Sequence, residues 1–234
     1  MCELMSTLTA AVLAAVDDTA RPLLTYYGPD QRVGLSGATL ENWAAKIANY
    51  LRDEAGLLPG DTVTVDLPEH WQSAAVLLGL WWAGLGVAGH DDDARVVFTT
   101  RDRLEEHPGA EELIVVPLDP FGGRVPDLPA FAGDFGDTVR PHGDRFFPSG
   151  GAGEALPGHT VEAVRERARA AATADGVTAG MRVLSTRPWR TADEIVAHLL
   201  GPLLSGAALV WVDPATGADL SAVAATENTD LILD

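Results

Sequence analysis

Short apolar runs that suit β-strands alternate with longer segments that suit α-helices along most of this chain. The runs "TVTV" (62–65), "RVVFTT" (95–100) and "ELIVVPL" (112–118) are rich in β-branched residues, and an apolar segment of helical length (69–83) separates the first two. Strands joined by helical crossovers pair in parallel. The alternation therefore predicts an α/β protein with two βαβ-rich subdomains, each a mostly parallel sheet flanked by helices.

Local signals place the ends of several elements. Leu4, Leu8, Val12 and Val16 lie four residues apart, which predicts an opening helix. The stretch "LLTYYGPDQRVGLSG" (23–37) predicts two short strands around a Gly-Pro-Asp turn.

A helix is predicted from about residue 40 to residue 51, where apolar residues follow a 3.6-residue period. Thr39 is its predicted N-cap and Gly56 its predicted end. After residue 158 the predicted elements are helix 160–174, strand 182–186, helix 191–205, strand 207–212, helix 218–226 and the strand "LILD" (231–234).

The segment 119–158 is rich in proline and glycine, so no long helix or strand is expected there. We expect a first α/β subdomain over 1–118, a connector over 119–158 and a second, truncated α/β subdomain over 159–234. The first half repeats a turn–strand–helix–strand order that also occurs in the second, as any doubly wound fold would.

Charge and cysteine content exclude several classes of protein. The formal net charge is −18, and no cluster of basic residues interleaved with aromatics exists, so nucleic acid is not expected as a partner. The four glycines within 71–89 argue against a membrane span, and Glu3, Asp17 and Asp18 argue against a secretory signal. With one cysteine, Cys2, the chain cannot form an internal disulfide, and we expect a cytoplasmic protein.

A glycine-rich stretch, "PSGGAGEALPGHT" (148–160), precedes the predicted helix 160–174 and is a candidate anion site. Backbone N–H groups ahead of a helix can bind phosphate. The candidate residues are Ser149, Gly150, Gly151, Gly153, Gly158 and Thr160.

The stretch from Thr39 to Val87 resembles the N-terminal portion of the adenylate-forming (AMP-binding) enzymes, which are acyl-CoA synthetases, luciferases and the adenylation domains of peptide synthetases. The residues that carry the resemblance are Gly56, Pro59, Gly60, Asp61, Val63, Pro68 and Gly84. The likeness covers about 25–88 well and 146–234 more loosely. The motifs "DPFGGR" (119–124) and "HGDRF" (142–146) are similar to a group of short, truncated relatives of these enzymes.

The resemblance implies that 147–158 corresponds to the family's phosphate loop, which normally carries two threonines and a lysine. The frame is kept by Phe147, Ser149, Gly150, Gly153, Pro157 and Gly158, but Gly151 and Ala152 replace the two hydroxyl residues after Gly150, and the lysine is absent. The sequence contains one lysine, Lys46, far upstream. Each lost charge-assisted bond is worth about 1.5–3 kcal/mol, so we expect at most weak binding of ATP or AMP and no other cofactor.

An alternative interpretation matches "GEALPGHT" (153–160) to the phosphate loop of P-loop NTPases, with His159 in place of the lysine. Histidine is mostly neutral at pH 7 and shorter than lysine, and Pro157 lacks an N–H group. A working NTPase loop is therefore not expected.

Three other places could carry chemistry. Arg187 and Arg190 in "RPWR" follow the carboxyl end of a predicted strand, where α/β folds usually bind ligands. They are candidates to bind an anion, and the alternative is that they lie in a solvated loop. "HDDD" (90–93) could bind a divalent cation but suits a surface turn better. His198 lies in a predicted helix without a nucleophile paired to it, so no metal site or catalytic residue is assigned.

These observations favour a catalytically degenerate relative of the adenylate-forming enzymes, a binding or assembly module without adenylation activity of its own. The alternative is half of a split ATP-dependent acid ligase completed by a partner chain. The strand "LILD" is expected at a sheet edge, which predicts a homo-oligomer or a protein partner there.

Overall fold

The structure, a computed structural model, describes residues 7–89, 94–149 and 153–234. The strands are β1 (Pro22–Gly28), β2 (Gln31–Ser36), β3 (Thr62–Val65), β4 (Gly86–Val87), β5 (Val96–Thr99), β6 (Glu112–Val115), β7 (Ala132–Asp134), β8 (Glu154–Leu156), β9 (His159–Thr160), β10 (Arg182–Ser185), β11 (Ala208–Val212) and β12 (Leu231–Leu233). The α-helices are α1 (Leu8–Ala14), α2 (Gly37–Asn49), α3 (Trp71–Trp82), α4 (Phe135–Thr138), α5 (Val161–Ala174), α6 (Ala192–Glu194), α7 (Gly201–Leu204) and α8 (Leu220–Glu227).

Shorter helical turns complete the chain. A π-helical turn, Tyr50–Glu54, continues α2, and another, Ile195–Leu200, joins α6 to α7. Two 3₁₀ helices are Arg101–Glu106 and Pro214–Thr216. The predicted α/β class, with parallel sheets flanked by helices, is confirmed.

The chain forms two compact units that are not consecutive in sequence. Unit 1 contains residues 1–10 and 41–161, and unit 2 contains residues 11–40 and 162–234. The contacts thus group the β1–β2 hairpin with the C-terminal part of the chain. The predicted subdomains 1–118 and 159–234, with a connector over 119–158, stay a prediction.

Unit 1 contains a five-stranded parallel sheet in the order β4-β3-β5-β6-β7. All four residues of β5 are buried, as expected for a strand covered on both faces. Every residue of α3 is buried too, so α3 lacks a solvated face. A Cβ on Gly79 would lie 2.5 Å from Ile47 Cβ, so glycine is required where α3 passes α2.

The proline- and glycine-rich segment 119–158 belongs to the packed structure of unit 1. Its elements are short, as predicted, but β7 pairs with β6, and Phe135 of α4 is fully buried and stacks on Trp43. Strands β8 and β9 form a two-stranded antiparallel hairpin. Pairing and burial stabilise these elements, which are too short for sequence periodicity to reveal.

Unit 2 contains a five-stranded sheet in the order β12-β10-β11-β1-β2. Its pairs are parallel except for the predicted hairpin of β1 and β2 around Pro29 and Asp30. Val223 of α8 packs with Leu184, Val210 and Val212 on one face of this sheet. None of the helices within the described ranges has the length and apolar character that crossing a bilayer requires.

The N-cap of α2 is Ser36 and not the predicted Thr39. The helix begins at Gly37, and Ser36 Oγ accepts the Thr39 N–H at 3.1 Å. Both residues are good caps by type, and the strand β2 ends at Ser36 because the chain turns there. The predicted end at Gly56 is confirmed, since this glycine takes the left-handed conformation (φ 67°).

We expect Ser36→Ala to lower the free energy of unfolding by about 1 kcal/mol, because it leaves a helix N–H without its acceptor. Thr39→Ala removes only the hydroxyl contact to Ser36 Oγ (3.0 Å) and should cost less than half as much. Urea unfolding of both variants measures the difference. Equal losses would contradict the assignment of the cap.

Candidate functional site

The predicted phosphate loop forms a β-hairpin over the residues that the structure describes. Strands β8 and β9 pair antiparallel, with Leu156 opposite His159, and Pro157 and Gly158 make the turn. Gly158 is left-handed (φ 73°), and helix α5 begins at Val161, directly after β9. Gly150, Gly151 and Ala152 lie outside the described residues.

The hairpin geometry differs from that of the P-loop to which the alternative interpretation matched residues 153–160. In a phosphate loop of the P-loop type, a glycine-rich turn leads from a strand into a helix and its N–H groups face one anion. Here the chain reverses on itself between Glu154 and Thr160, and the strand before α5 is antiparallel to its neighbour. Residues 153–160 therefore do not have the strand–loop–helix shape of a P-loop.

The N–H group at the tip of the hairpin already has an anionic acceptor. Gly158 N–H donates to Glu154 Oε2 at 2.9 Å, and Glu154 is exposed. A phosphate oxygen would have to displace this carboxylate and would meet its negative charge. Ser149, Gly153, Gly158 and Thr160 thus lie in unit 1, on or beside a hairpin that supplies its own anion.

Buried contacts fix the base of the hairpin. Ala155 and Leu156 are almost fully buried, and Ala155 O accepts the Trp81 Nε1–H from α3 at 2.8 Å. A Cβ on Gly86 of β4 would lie 2.4 Å from Glu154 O, so the hairpin backbone packs directly against this strand. The hairpin is held by packing against α3 and β4.

Lys46 binds the segment 140–144 of unit 1. Its Nζ donates to the carbonyl oxygens of Arg140 (3.1 Å) and His142 (2.6 Å) and forms an ion pair with Asp144 (2.6 Å). The side chain is mostly buried. The single lysine therefore fixes the segment 140–144 to α2.

Arg187 and Arg190 belong to unit 2, and the hairpin belongs to unit 1. Arg187 Nη1 lies 2.9 Å from both carboxylate oxygens of Asp175, and its carbonyl oxygen accepts the Trp211 Nε1–H at 2.9 Å. Arg187 is thus half-buried in a structural ion pair. Arg190 is exposed, and its backbone N–H donates to Glu194 (3.0 Å) at the start of α6.

The remaining sequence candidates are His198 and residues 90–93. His198 hydrogen-bonds through Nδ1 to the carbonyl oxygen of Pro188, as a helix-face histidine would. Residues 90–93 lie outside the described residues. Within the described ranges, no three His, Cys, Asp or Glu side chains are grouped as a metal ion would require.

A cavity of about 460 Å³ lies at the carboxyl ends of β5 and β6 in unit 1. Arg101, on its wall, donates to the carbonyl oxygens of Pro126 (2.8 Å) and Asp127 (2.9 Å). Asp119 accepts the N–H groups of Phe121 and Gly123. Arg101 and Asp119 thus shape the loops around this cavity, and its lining also contains the charged residues Asp102 and Arg124.

A buried ionic network in unit 2 was missed by the sequence analysis. Glu227 has only 4% of its side chain exposed and accepts hydrogen bonds from Arg32 Nε (2.7 Å), Tyr27 Oη (2.5 Å) and Arg182 Nη2 (2.5 Å). Burial opposes ionisation, but these three donors outweigh it and lower the pKa of Glu227 to about 2. Nothing in the sequence signals this network, since Arg32 and Glu227 are 195 residues apart.

Comparison with known proteins gave a relative of nearly the same length. No family model matches the sequence. A protein of Mycobacterium tuberculosis described as "TIGR03089 family protein" is 41% identical over 239 aligned residues, which cover 97% of this chain and 98% of that protein.

Three solved structures that share this fold are an acyl-CoA synthetase, a fatty acid AMP ligase and an anthranilate CoA ligase. A Brucella canis acyl-CoA synthetase superposes with a TM-score of 0.76 at 18% identity, over 97% of this chain and 47% of that chain. A fatty acid AMP ligase from Legionella pneumophila superposes with a TM-score of 0.70 at 13% identity, over 97% of this chain and 44% of that chain. An anthranilate CoA ligase in complex with anthranoyl-AMP superposes with a TM-score of 0.68 at 14% identity, over 87% of this chain and 44% of that chain.

These likenesses confirm the predicted resemblance to the N-terminal portion of the adenylate-forming enzymes as a statement about fold. The chain spans less than half the length of each of these ligases.

Proposed function

The chain belongs to the TIGR03089 family, and we propose that it is a catalytically degenerate member of the adenylate-forming fold. In this proposal it acts in the cytoplasm as a binding or assembly module and does not activate a carboxylic acid by itself. The observation that carries the proposal is the hairpin 154–160, in which the Glu154 carboxylate already accepts the Gly158 N–H.

Electrostatics is the physical reason. Transfer of an adenylyl group requires the triphosphate to be bound and its charge neutralised as it develops. The residues that correspond to the family's phosphate loop provide Glu154 near the turn and no lysine. With a protein net charge of −18, the long-range field also disfavours a polyanion.

The strength of Lys46's contacts supports the same conclusion. Its ammonium group has three oxygen partners within 3.1 Å, so moving it to a phosphate would break an ion pair and two hydrogen bonds. At about 1.5–3 kcal/mol for each charge-assisted bond, the movement would cost several kcal/mol. Weak binding of ATP or AMP through backbone N–H groups is all that we propose for nucleotide.

We expect the purified chain to show no ATP–pyrophosphate exchange above a heat-denatured sample, with any of a panel of fatty, aromatic and amino acids. Glu154→Gln keeps the shape of the acceptor but removes its charge, so it should bind ATP a few-fold more tightly in calorimetry and still give no exchange. A competent ligase run in parallel validates the assay. Exchange that requires both ATP and an acid would refute the proposal.

A second candidate function is half of a split ligase completed by another chain. It is supported by the chain's span of less than half of the solved ligases. It is also supported by β12, which is an edge strand of the unit 2 sheet with the side chain of Ile232 41% exposed. Further strands from a homologous or different partner would extend this sheet through backbone hydrogen bonds.

The same exchange assay separates the two candidates. The protein is isolated from its native cells together with any polypeptide that co-purifies with it. The exchange assay is run on this sample before and after high salt has removed the partners. Exchange present only in the undissociated sample favours the split ligase. Absence of exchange in both samples favours the degenerate module.

A further inference from the structure

The loop "DPFGGR" (119–124) of unit 1 exposes a large apolar side chain. The side chain of Phe121 is 80% exposed, the highest value among the large apolar side chains of the described residues. Burial of an aromatic side chain is favourable, and the fold of a single chain does not use this contribution at Phe121. Exposed apolar residues are common on protein surfaces, so the surroundings of Phe121 decide whether it has a partner.

Hydrogen bonds and close packing fix the backbone that carries Phe121. The Asp119 carboxylate accepts the Phe121 N–H (2.8 Å), and the Asp119 carbonyl oxygen accepts the Trp71 Nε1–H (2.9 Å). Gly122 is left-handed (φ 61°) and packs on the ring of Trp43, from which a Cβ would lie only 2.6 Å away. Phe121 therefore projects from an ordered loop, and its burial by a partner would order little further backbone.

The same loop borders the cavity of about 460 Å³ at the carboxyl ends of β5 and β6. Asp119, two residues before Phe121, and Arg124, three residues after it, both line this cavity. The apolar part of the lining consists of Val115, Val116, Pro117, Leu118, Val125 and Pro126. The loop thus places an exposed phenylalanine beside a cavity with an apolar wall.

The cavity suits an aromatic side chain better than a charged ligand. Apolar cavities of about 150 Å³ hold benzene, so a phenylalanine ring has room here. Arg101 already donates to the carbonyl oxygens of Pro126 and Asp127, and Arg124 pairs with Asp137. A charged ligand would compete with these contacts, whereas an apolar side chain would leave them in place.

Charge favours a second copy of this chain as the partner. Among the described residues, the lining contains the guanidinium groups of Arg101 and Arg124 and the carboxylates of Asp102 and Asp119, so its net charge is zero. The whole chain has a net charge of −18, and two copies therefore repel one another. An uncharged patch is where two such copies approach with least repulsion.

Self-complementarity is the second reason for a dimer. In a two-fold symmetric dimer each surface meets the same surface of the other copy, so a projecting side chain and the cavity that it fills must lie on one patch. Phe121 and the cavity meet this condition, because the loop 119–124 carries the one and borders the other.

We propose that two copies of the chain associate through this surface, with Phe121 of each copy inserted into the 460 Å³ cavity of the other. Each ring buries about 150–250 Å² and covers a similar area of the cavity wall, so the two insertions provide less than the roughly 1,200 Å² of a stable interface. The dimer is therefore weak and reversible. It goes beyond the proposed loss of adenylation and uses a different surface from β12, so it stands or falls separately.

Sedimentation velocity at rising protein concentration tests the proposal. We expect a monomer–dimer equilibrium with a dissociation constant in the micromolar range or above. Phe121→Ala should weaken the dimer about tenfold or more, because each dimer loses two inserted rings. The matched control is Phe147→Ala, at another phenylalanine of unit 1, 76% exposed and outside the described cavity lining, which should dimerise as the unaltered chain does.

Added salt is expected to strengthen the dimer. It screens the repulsion between two copies that each carry a charge of −18, and the inserted rings do not depend on ion pairs. Dimerisation that weakens in salt would show that ion pairs hold the copies together and would contradict the proposed contact.

Mixtures of labelled and unlabelled chains locate the contact by NMR. Methyl-labelled Phe121→Ala keeps the cavity, so its Val116 and Val125 methyl signals should shift when unlabelled unaltered chain is added. The same signals should not respond to unlabelled Phe121→Ala, because no ring is then available to enter. Unlabelled Phe147→Ala should act as the unaltered chain does.

A chain that stays monomeric into the sub-millimolar range would overturn the proposal. So would a dimer of unchanged strength in Phe121→Ala, which a contact through another surface such as β12 would give. Equal weakening by Phe147→Ala, or cavity methyl signals that do not respond to the unaltered chain, would overturn it as well.

Discussion

Replacement of Glu227 by alanine is expected to lower the free energy of unfolding by about 3 kcal/mol, the largest loss from any single charged residue described above. The change leaves Arg182, with only 17% of its side chain exposed, without its ionic partner, and it removes the acceptor of Tyr27 Oη. Arg32 is half exposed and can turn to water, which limits the loss. Urea unfolding at pH 7 measures it.

The pKa of Glu227 gives this residue a pH signature. Its folded pKa of about 2 lies below its ordinary value of 4.5. A carboxyl group whose pKa is lowered by folding stabilises the folded state when it is ionised in both states, so its contribution is complete above pH 4.5 and is lost as the pH falls towards 2. The ionised Glu227 thus accounts for a loss of free energy of unfolding on the order of 3 kcal/mol as the pH falls from 4.5 towards 2. We expect this loss to be absent in Glu227→Gln.

Glu166→Gln is the control for both measurements, because Glu166 is an exposed residue of α5 in the same unit. It should change the free energy of unfolding by less than about 0.5 kcal/mol and leave the pH profile unaltered. A Glu227→Ala variant as stable as this control would show that the network contributes nothing. A Glu227→Gln variant with the pH profile of the unaltered chain would show that another carboxyl group is responsible.

The second large effect is expected at Trp81, where replacement by alanine should cost about 3–5 kcal/mol. Trp81 is 2% exposed in the fully buried helix α3, so its removal leaves a large cavity. Its Nε1–H also fixes Ala155 O at the base of the hairpin 154–160. The variant should therefore loosen the hairpin as well as destabilise unit 1, and urea unfolding measures the loss.

Trp81→Phe separates the hydrogen bond from the packing. It keeps most of the apolar volume but leaves Ala155 O without its donor, which should cost about 1–3 kcal/mol. We expect faster hydrogen exchange of the β8 and β9 amides in this variant, relative to those of β5 in the same unit. Phe147→Ala, at a side chain 76% exposed, should change stability by less than about 0.5 kcal/mol.

If Trp81→Phe left the exchange of the hairpin unchanged, the hydrogen bond to Ala155 would not hold this segment. The hairpin would then depend on its contact with Gly86 of β4. A Trp81→Ala variant that lost less than 1 kcal/mol would contradict the burial of this side chain.

The absence of a lysine from the candidate loop could be predicted from the sequence, because the chain has one lysine and it lies in a predicted helix. A chain with one lysine inside a helix cannot place another in the phosphate loop, whatever its fold. The sequence did not predict the hairpin, since β8 and β9 are three and two residues long and their periodicity is too short to recognise. Nor did it predict the hydrogen bond from the Gly158 N–H to the Glu154 carboxylate, because this contact depends on the turn geometry.

The sequence by itself determined the order and type of the main elements. The β-branched runs at 62–65 and 95–100 form strands, the apolar segment at 71–82 forms a helix, and glycine at 56 ends another, because these features act through neighbouring residues.

The tertiary structure alone decided which distant segments meet. It grouped residues 11–40 with 162–234 and brought Tyr27, Arg32 and Arg182 to one carboxylate at Glu227. The partners in this network are separated by up to 200 residues, so no local propensity encodes their contact. Their meeting depends on strand order and on burial in a shared sheet, which are properties of the folded chain as a whole.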